Sequence, residues 1–588
     1  MTTPVRIANC SGFYGDRISA LSEQLRDGPI DVITGDYLAE LTMLILGKDR
    51  MKDPTLGYAR TFVRQLQDTL GEVLERGVKV VVNAGGLNPA GLADAVRTLG
   101  ASLGLDPKVA HVAGDDVRAH AADLGVPHAL TANAYLGGFG IKAGLDAGAD
   151  IVVTGRVTDA ALVIGAAAWH HGWTPDDHDA LAGALVAGHV IECGCQATGG
   201  NLSSFAAHDL LRPGYPIAEV AADGSSVITK HDGTGGVVNV DSVTAQLLYE
   251  VTGARYANPD VTGRLDSIEL TQLGPDRVAI TGVVGEAPPP ELKVATNVIG
   301  GMRNEMELLL TGLDIDAKAA LIKAQVTAAL AVDPPAELVW TMSTTTFDDP
   351  ATQERATTRL RCSVKDSDPK KVGRPFTSAL VEAALASYPG FTMTAPPGPA
   401  TPFGVFHPAY MPASAVDHTV VLPDGSSQII APPSATRPLE DAAVPVPPEP
   451  LGDGPTTHGP LGDIARARSG DKGGDANIGV WVTTDDAYRW LVHLLTPDTV
   501  RALLPETAKM PVTVHALPNL RAVNIVVTGL LGEGVSSGTR IDPQGKGLGE
   551  WLRARHVDVP DVLLADPHAR VPRPAIPRPA IPRPTLPA

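Results

Sequence analysis

The sequence predicts an α/β protein built on a parallel sheet that is covered by helices on both faces. Runs rich in β-branched residues alternate five times with helix-like stretches within residues 1–200, and such alternation is typical of parallel strands joined by crossover helices. Aromatic residues make up only 4% of the 588 residues, which suits small side chains packed closely between helices and strands. The predicted strands span residues 5–8, 30–33, 78–82, 109–112 and 151–153.

The stretches between these strands carry start and stop signals for helices. Gly47 and Gly77 stand where two helices are expected to end, because glycine readily adopts the left-handed conformation of a helix C-terminus. Asn88 is the expected N-cap of a further helix, with Pro89 in its first turn. Thr158 is expected to cap the helix after the last strand. A loop that leads into a helix is therefore expected after each strand.

The rest of the chain divides by composition. Residues 1–435 are predicted to form one core domain, with the parallel part at 1–200 and a mixed α+β extension at 200–435. Proline is frequent at residues 436–460, which predicts a linker because proline can continue neither a helix nor a central strand. A small α+β domain is expected at 461–562. Residues 563–588 carry a Pro-rich repeat and are predicted to be a disordered, polyproline-like tail.

The net charge and the composition of the chain limit which partners it is expected to bind and in which cellular compartment it is expected to lie. The formal net charge is -19, so neither nucleic acid nor an anionic membrane is an expected partner. Four cysteines in 588 residues form no disulfide framework. The first residues do not match a signal peptide, and no stretch reaches the ~20 apolar residues of a membrane-spanning helix. We therefore expect a cytoplasmic protein.

The glycine-rich turn after the first predicted strand does not match a nucleotide-binding motif. Its sequence, SGFYG at residues 11–15, has the spacing neither of G-x-G-x-x-G nor of the phosphate-binding loop G-x-x-x-x-G-K-[ST]. Nicotinamide, flavin and ATP are therefore poorly supported, and no cofactor is predicted.

Polar residues follow every predicted strand, where the carboxyl ends of parallel strands form one edge of the sheet. Ligands of open parallel sheets bind at this edge. Arg156 directly follows a buried strand, where a charge is costly unless it is paired, so we expect it to anchor a carboxylate, a thioester oxygen or a phosphate. Asp36 and Asp159 are candidate proton-transfer groups, although aspartates here also suit helix caps. The predicted edge residues are Asn9, Ser11, Asp36, Asn83, Gly85, Gly86, Asp115, Arg156 and Asp159.

A segment rich in His, Glu and Cys follows the parallel part, HVIECGCQATGG at residues 189–200. Glu192 is a candidate general acid or base within it. Together with His189 and Cys195 it also resembles half of a zinc site, but the sequence holds no second cysteine pair to complete one. A buried thiol pair that merely lines a loop is the alternative interpretation, and no metal is predicted.

Two glycine-rich loops further along the chain also suit anion binding. In KHDGTGG, residues 230–236, Thr234 and Gly235 belong to a turn whose N–H groups suit an anion, and His231 is a candidate for proton transfer. A tight structural turn is the alternative. Lys472 lies in a second such loop, where it either binds an anion or belongs to a salt-bridged turn that docks the small domain.

Several of these segments resemble the acyclic terpene utilisation (AtuA) family. The resemblance runs in order over about residues 5–560 and leaves out the Pro-rich linker and tail. Its C-terminal motifs resemble the family's small domain, which is described as ferredoxin-like. Many relatives read Gly-Asp-Thr where this chain has GGD at 473–475, so the resemblance implies no role for Asp475. The motifs are TGRVTD (154–159), GHVIECGCQATGG (188–200), GTGGV (233–237), TAQLLYE (244–250), SGDKG (469–473), ANIG (476–479) and DPQGK (542–546).

The resemblance implies a place in the breakdown of acyclic terpenes such as citronellol and geraniol through acyl-CoA intermediates. Family members often accompany acyl-CoA carboxylases and enoyl-CoA hydratases, but the resemblance implies no catalytic residue. Our first hypothesis is a hydratase- or lyase-like acid–base enzyme with an acyl-CoA, or its carboxylated intermediate, as substrate. A non-catalytic partner subunit of a carboxylase or hydratase is the second, and a metal-dependent hydrolase using His189, Glu192 and Cys195 is the third. A homo-oligomer is also expected.

Overall fold

A computed structural model describes residues 3–343 and 347–572. In its first part, strands and helices alternate along the chain. The strands are β1 (Val5–Asn9), β2 (Val32–Gly35), β3 (Lys79–Val82), β4 (Val109–Ala113), β5 (Thr131–Ala134) and β6 (Ile151–Thr154). The helices are α1 (Ala20–Arg26), α2 (Glu40–Lys52), α3 (Arg60–Gln67), α4 (Leu70–Arg76), α5 (Pro89–Ser102), α6 (Phe139–Asp146), α7 (Ala161–His171) and α8 (His178–Ile191).

Local sequence explains where some of these helices begin and end. Asn88 caps α5, because its side chain accepts a hydrogen bond from the Gly91 backbone at 3.0 Å. Gly77 ends α4 in the left-handed conformation, with φ 66°. The prediction for Gly47 is wrong, because α2 continues through it to Lys52. A Cβ at Gly47 would lie only 3.0 Å from the Leu130 and Thr131 side chains, so this glycine permits close packing.

The middle of the chain is dominated by strands, one of them 21 residues long. The strands are β7 (Pro216–Val220), β8 (Ser226–Lys230), β9 (Arg255–Ala257), β10 (Thr262–Arg264), β11 (Glu269–Gly274), β12 (Arg277–Thr281), β13 (Val284–Glu286), β14 (Glu291–Thr311), β15 (Glu337–Ser343), β16 (Thr357–Asp366), β17 (Thr392–Met393), β18 (Thr401–Pro412), β19 (Thr419–Val421) and β20 (Ser427–Ile429). The helices are α9 (Val240–Leu247), α10 (Ile315–Leu330) and α11 (Arg374–Val381).

The largest sheet joins the first and middle parts of the chain. Its eleven strands run in the order β11-β12-β8-β7-β1-β2-β3-β6-β4-β19-β20. The five strands β1, β2, β3, β6 and β4 are mutually parallel, and the strands that flank them are antiparallel. The protein is therefore of the α/β class, but this sheet is mixed because later segments extend both of its edges. A second sheet pairs β14 with β5, β16, β17 and β18.

Alternate residues of the parallel strands pack into two different hydrophobic clusters. Ile7, Val81 and Val152 pack with side chains of α6, α7 and α8, whereas Ala8 and Val80 pack with side chains of α1, α3, α4 and α5. Because successive side chains of a strand point to opposite faces, helices cover both faces of the central sheet. Because both faces of this sheet are buried, the ends of its strands are the place for polar side chains.

The C-terminal part has a hydrophobic core of its own. Four strands form an antiparallel sheet in the order β22-β23-β25-β24, and β21 pairs with β26. The strands are β21 (Thr456–Pro460), β22 (Arg466–Lys472), β23 (Asp475–Trp481), β24 (Val512–Leu517), β25 (Ala522–Val527) and β26 (His556–Pro560). The helices are α12 (Asp485–Leu494), α13 (Pro497–Leu503), α14 (Leu548–Ala554) and α15 (Asp561–Ala565).

The ends of this domain differ from the prediction. Strand β21 begins at Thr456, inside the segment predicted as a linker. Residues 563–572 are packed and not disordered as predicted, because Ala569 and Val571 are buried in the C-terminal core. The rest of the predicted tail, residues 573–588, lies outside the described residues. Across the described part of the chain, no helix combines the length and apolar character needed to cross a membrane.

Candidate active site

Arg156 lies at the centre of a buried polar cluster at the carboxyl edge of the parallel strands. It follows β6 directly, and only 2% of its surface is exposed. Its Nη1 lies 3.1 Å from Asp159 Oδ1, and its guanidinium stacks 4.2 Å from the centre of the Tyr135 ring. Its backbone N–H donates to Asp115 Oδ2 at 2.9 Å. The loops after β4 and β6 are thus joined, and the buried cation is paired.

The loops after β2 and β3 are joined by Asn83. Its Nδ2 donates to Asp36 Oδ1 at 2.6 Å, while its Oδ1 accepts the Tyr37 backbone N–H at 2.7 Å. Burial raises the pKa of Asp36 well above its ordinary value, and the nearby Asp159 carboxyl raises it further, although Arg156 opposes both. Asp36 therefore resists ionisation, because the nearby cation, Arg156, is already paired with Asp159.

Glu192 completes the cluster from the end of α8. Its Oε1 lies 3.1 Å from His189 Nδ1, and the imidazole packs 4.8 Å from the Tyr256 ring centre. Asn9, at the end of β1, fixes this helix end, since its Nδ2 donates to the carbonyl oxygens of Ile191 and Glu192 at 2.7 and 3.0 Å. Four loops and one helix end therefore meet at Arg156.

Burial disfavours the charged forms of both His189 and Glu192. Burial raises the pKa of Glu192 well above its ordinary value, and the carboxyl groups of Asp159 and Glu250 add to this. Burial, together with the positive charge of Lys472, lowers the pKa of His189 to about 4. A protonated carboxyl beside a neutral imidazole can donate or relay a proton near neutral pH.

The small domain supplies one side of the site. The turn between β22 and β23 carries Lys472, which is half-buried and lies 6.0 Å from the Tyr256 ring centre. Among the described residues, its side chain forms neither an ion pair nor a hydrogen bond. Its charge lowers the pKa of both Asp159 and Glu192, against the larger effect of burial. Lys472 is therefore a second cation that faces the cluster.

The small domain, including the hairpin formed by β22 and β23, is fixed on the large domain by buried polar contacts. Asn477 Oδ1 accepts the Glu250 backbone N–H at 2.8 Å, and Asn524 Nδ2 donates to the Val251 carbonyl at 2.9 Å. A Cβ at Gly470 would lie 2.5 Å from Tyr249 Cε2, so only glycine allows this approach. The site therefore forms only where the two domains meet.

Sequence reasoning missed a third group of charged residues at the rim. Glu40 accepts a hydrogen bond from Tyr135 Oη at 3.3 Å and lies 3.5 Å from Lys293 Nζ. Burial opposes ionisation of Glu40, but the charges of Lys293, Arg156 and Lys472 lower its pKa to about 2. Lys293 is on β14 and Tyr135 follows β5, so their proximity depends on the long-range pairing of these strands. No motif in the sequence marks them.

Buried polar atoms without partners concentrate in this cluster. Within residues 3–343 and 347–572, no hydrogen bond satisfies Arg156 Nε, His189 Nε2 or Glu192 Oε2, and Arg156 Nη1 and Asp159 Oδ1 have only each other, as the ion pair described above. Leaving such a group unpaired costs about 1–3 kcal/mol, so a folded protein retains several together only where function requires them. The free Nε donor of Arg156 and the free carboxyl oxygen of Glu192 are suited to an anionic, proton-exchanging substrate.

Other predicted edge residues have supporting contacts. The Ser11 carbonyl accepts the Asp36 backbone N–H at 3.0 Å, whereas its hydroxyl donates to the Phe13 carbonyl. A Cβ at Gly85 would lie 2.4 Å from the Thr154 carbonyl oxygen, so this glycine lets two loops approach each other. Gly86 has φ 51°, which favours glycine. These residues shape the backbone beneath the cluster.

The structure does not bring the 230–236 loop into the cluster. His231 Nε2 contacts the Gln24 carbonyl at 3.0 Å, and Thr234 Oγ1 donates to the His231 carbonyl at 2.7 Å. A Cβ at Gly235 would lie 2.7 Å from the Arg212 carbonyl oxygen, so this glycine serves close packing. Strand β8 ends at the same sheet edge, but five strand positions separate it from β6, about 24 Å at the usual strand spacing. His231, Thr234 and Gly235 therefore stand apart from Arg156.

The cysteines near Glu192 do not converge with it on a common point. Cys195 Sγ lies 3.5 Å from the Pro213 carbonyl oxygen. Burial raises the pKa of Cys193 well above its ordinary value, which disfavours a reactive thiolate. Across the described residues, no three His, Cys, Asp or Glu side chains are arranged to hold a metal ion. This arrangement gives no support to the metal-dependent hydrolase hypothesis.

The protein has two domains and an enclosed polar site between them. The site contains a cluster of carboxyl groups and two cations that face inward. Residues 5–422 match the family described as acyclic terpene utilisation family protein AtuA, and residues 459–558 match the AtuA ferredoxin-like domain. The chain therefore belongs to the acyclic terpene utilisation family, and the resemblance found in the sequence is confirmed. A search among curated proteins finds none that matches the chain.

Proposed function

We propose that this protein is an acid–base enzyme, hydratase- or lyase-like, that acts on a branched acyl-CoA or its carboxylated intermediate. Membership of the AtuA family supports a role in terpene catabolism. The observation that carries the enzymatic part is the set of carboxyl groups around Arg156, namely the buried Asp36 and Glu192 and the partly exposed Asp159. Carboxyl groups whose pKa values are raised by burial are suited to proton transfer near neutral pH.

Arg156 and Lys472 are the anion-binding groups of this proposal. The Nε of Arg156, which has no hydrogen-bond partner, is a donor inside a buried site, where hydrogen bonds to a developing negative charge are strong. Lys472 approaches from the small domain. A thioester enolate oxygen would lie on Arg156, and a second carboxylate of the substrate would lie toward Lys472.

Hydration of an enoyl thioester needs one base and one acid. Asp159, which Arg156 keeps accessible to ionisation, would take a proton from water as the water oxygen bonds to the β-carbon. The electron pair of the double bond moves through the α-carbon to the thioester oxygen, and Glu192 then protonates the α-carbon. The proton on Asp159 returns to Glu192 by exchange with solvent, so water is added and the enzyme is restored. Dehydration is the reverse.

Access to the cluster is narrow. The adjoining cavity, lined by Glu40, Phe406, Asp471 and Gly473, has a volume of only about 20 Å³. An acyl chain cannot pass through so small a space. In this proposal, binding therefore requires the tip of the β22–β23 hairpin to move away from the rim of the large domain, while the contacts of Gly470 and Asn477 hold the rest of the hairpin in place.

Turnover by the purified chain tests the proposal. Branched enoyl-CoA thioesters, with and without a second carboxylate on the chain, are incubated with the protein, and mass spectrometry follows the gain of one water. We expect hydration by the wild type and none by Asp159→Asn. Absence of turnover on every thioester, together with a stable complex with an acyl-CoA carboxylase or enoyl-CoA hydratase from native extract, would overturn the enzymatic proposal in favour of a partner subunit.

A further inference from the structure

A second, much larger cavity lies behind the Arg156 cluster. Its volume is about 510 Å³, within the range of small-molecule binding sites. It is bounded by helix α6, by the segment around β20 and by residues that follow α7. Large apolar side chains make most of its wall, among them Phe139, Trp173, Leu292, Val416 and Ile430.

One wall separates this cavity from the polar cluster. Tyr135 contacts Arg156, whereas its neighbour Leu136 lines the cavity. On the adjacent strand, Lys293 contacts Glu40, whereas Leu292 lines the cavity. Successive residues of an extended chain point to opposite sides, so the two regions stand back to back on the same pair of segments and differ completely in chemistry.

The polar groups in the cavity wall present no unpaired positive charge. Lys142 Nζ is paired with Asp146 Oδ2 at 2.7 Å. Asp260 accepts the Gly138 backbone N–H at 2.7 Å, and although burial raises its pKa to about 6, this carboxyl group is mostly ionised at neutral pH. His418 Nε2 is buried and has no hydrogen-bond partner within the described residues, and burial lowers the pKa of this imidazole to about 4. The wall therefore offers hydrogen bonds but no positive charge that would attract an anion.

We propose that this cavity is a second ligand site, separate from the Arg156 cluster, for a small uncharged hydrocarbon molecule with one hydroxyl or carbonyl group. Its apolar walls favour a hydrocarbon body, and Asp260 or His418 can bond to one polar end. An anionic end group would lose hydration without gaining an opposite charge, which is costly. The site does not depend on the reaction proposed for the Arg156 cluster.

Titration calorimetry with three probes of equal chain length tests this site on the full chain. We expect octan-1-ol to bind, and octanoate to bind at least about tenfold more weakly, because no cation in the wall is free to compensate its carboxylate. Tighter binding of octylammonium than of octan-1-ol would overturn the uncharged ligand in favour of a cation held by the Asp260 carboxylate. Equal binding of octanoate would overturn the claim that the ligand is uncharged, and no binding of octan-1-ol would overturn the site itself.

Two cavity-filling variants locate the binding. Ala143 lines the cavity from α6, and Ala143→Phe is expected to weaken octan-1-ol binding at least about tenfold by occupying the space. Ala147→Phe, at the exposed residue that directly follows α6 and lies outside the cavity, is the matched control and should bind as the wild type does. Ala413→Phe fills the cavity from a different segment if the first variant does not fold, as judged by thermal unfolding. Unchanged binding in both filling variants would contradict the proposal.

Discussion

The loops at residues 155–159 and 230–236 look alike in sequence but have different surroundings. Each combines glycine with acidic and basic side chains after a strand. In the second loop, Lys230 is paired with Asp276 at 3.0 Å and donates to the Thr234 carbonyl at 2.8 Å, so its polar groups are used within the fold. In the first, Arg156 Nε is buried without a hydrogen-bond partner. Polar groups that the fold leaves unsatisfied, more than the motif itself, distinguish the candidate site.

The largest difference between the two loops is expected on removing their buried cations. Arg156→Ala should lower kcat/KM by about 10³-fold or more, because the group that stabilises negative charge is lost. Lys230→Ala should change turnover by less than about twofold. Each variant lacks one buried cation, but only the loop at residues 155–159 is proposed to bind substrate. Both variants are expected to lose about 3 kcal/mol of unfolding free energy, measured by urea denaturation.

Arg156→Lys provides a folded alternative if the alanine variant unfolds. It retains the charge but not the planar donor pair, so partial recovery of turnover is expected. Equal activity losses in the Arg156 and Lys230 variants would erase the proposed difference between the loops.

Removal of an acid–base group should give the next largest effect. Glu192→Gln keeps the size of the side chain but cannot transfer a proton, so kcat should fall by about 10²–10⁴-fold. His231→Gln is the matched variant of the other loop and should change kcat by less than about twofold. Steady-state kinetics on the same thioester measures both. A larger loss in the His231 variant would show that the wrong loop has been assigned the chemistry.

A smaller effect is expected from the hairpin of the small domain. Lys472→Met should raise KM about tenfold, since one of two cations that face the substrate is removed. Asp475→Asn is its control on the same hairpin, because the Asp475 carboxylate accepts the Gly529 backbone N–H at 2.8 Å, which an amide oxygen also accepts. An unchanged KM for Lys472→Met would remove the small domain from the site.

Asp115, which accepts the Arg156 backbone N–H, should make the stability of the folded protein depend on pH. Burial raises the pKa of Asp115 from 3.8 to about 6, so between these values the folded state binds more protons than the unfolded state. Stability due to Asp115 is therefore complete below about pH 4 and declines as the pH rises to about 6, by on the order of 3 kcal/mol. Asp115→Asn should flatten this slope in urea denaturation measured across the range. A slope equal to that of the wild type would contradict the assigned burial.

The edge rule for parallel sheets explains why part of the site could be predicted. Asp36, Asn83 and Arg156 each follow a strand whose β-branched run is visible in the sequence, and parallel strands end at one edge. His231 also follows a strand that ends there, since β8 runs in the same direction as β1. What the sequence does not contain is the strand order, and five positions of separation remove His231 from the site.

Long-range pairing accounts for what was missed. Lys293 reaches the cluster because β14 pairs with β5, some 160 residues earlier in the chain, and no local pattern encodes that pairing. Gly47 was misread for a related reason, because its contact with Leu130 and Thr131 arises only in the folded chain. Helix signals that act within a few residues, such as Gly77 and Asn88, were correct.

Amide hydrogen exchange in the presence and absence of a branched enoyl-CoA tests the central claim most directly. If loops of the large domain and the hairpin of the small domain enclose one anionic ligand, exchange should slow together in residues 155–159 and 470–475 and remain unchanged in residues 230–236. Protection confined to residues 230–236, or absent from residues 155–159 at saturating ligand, would contradict the assignment of the site to Arg156.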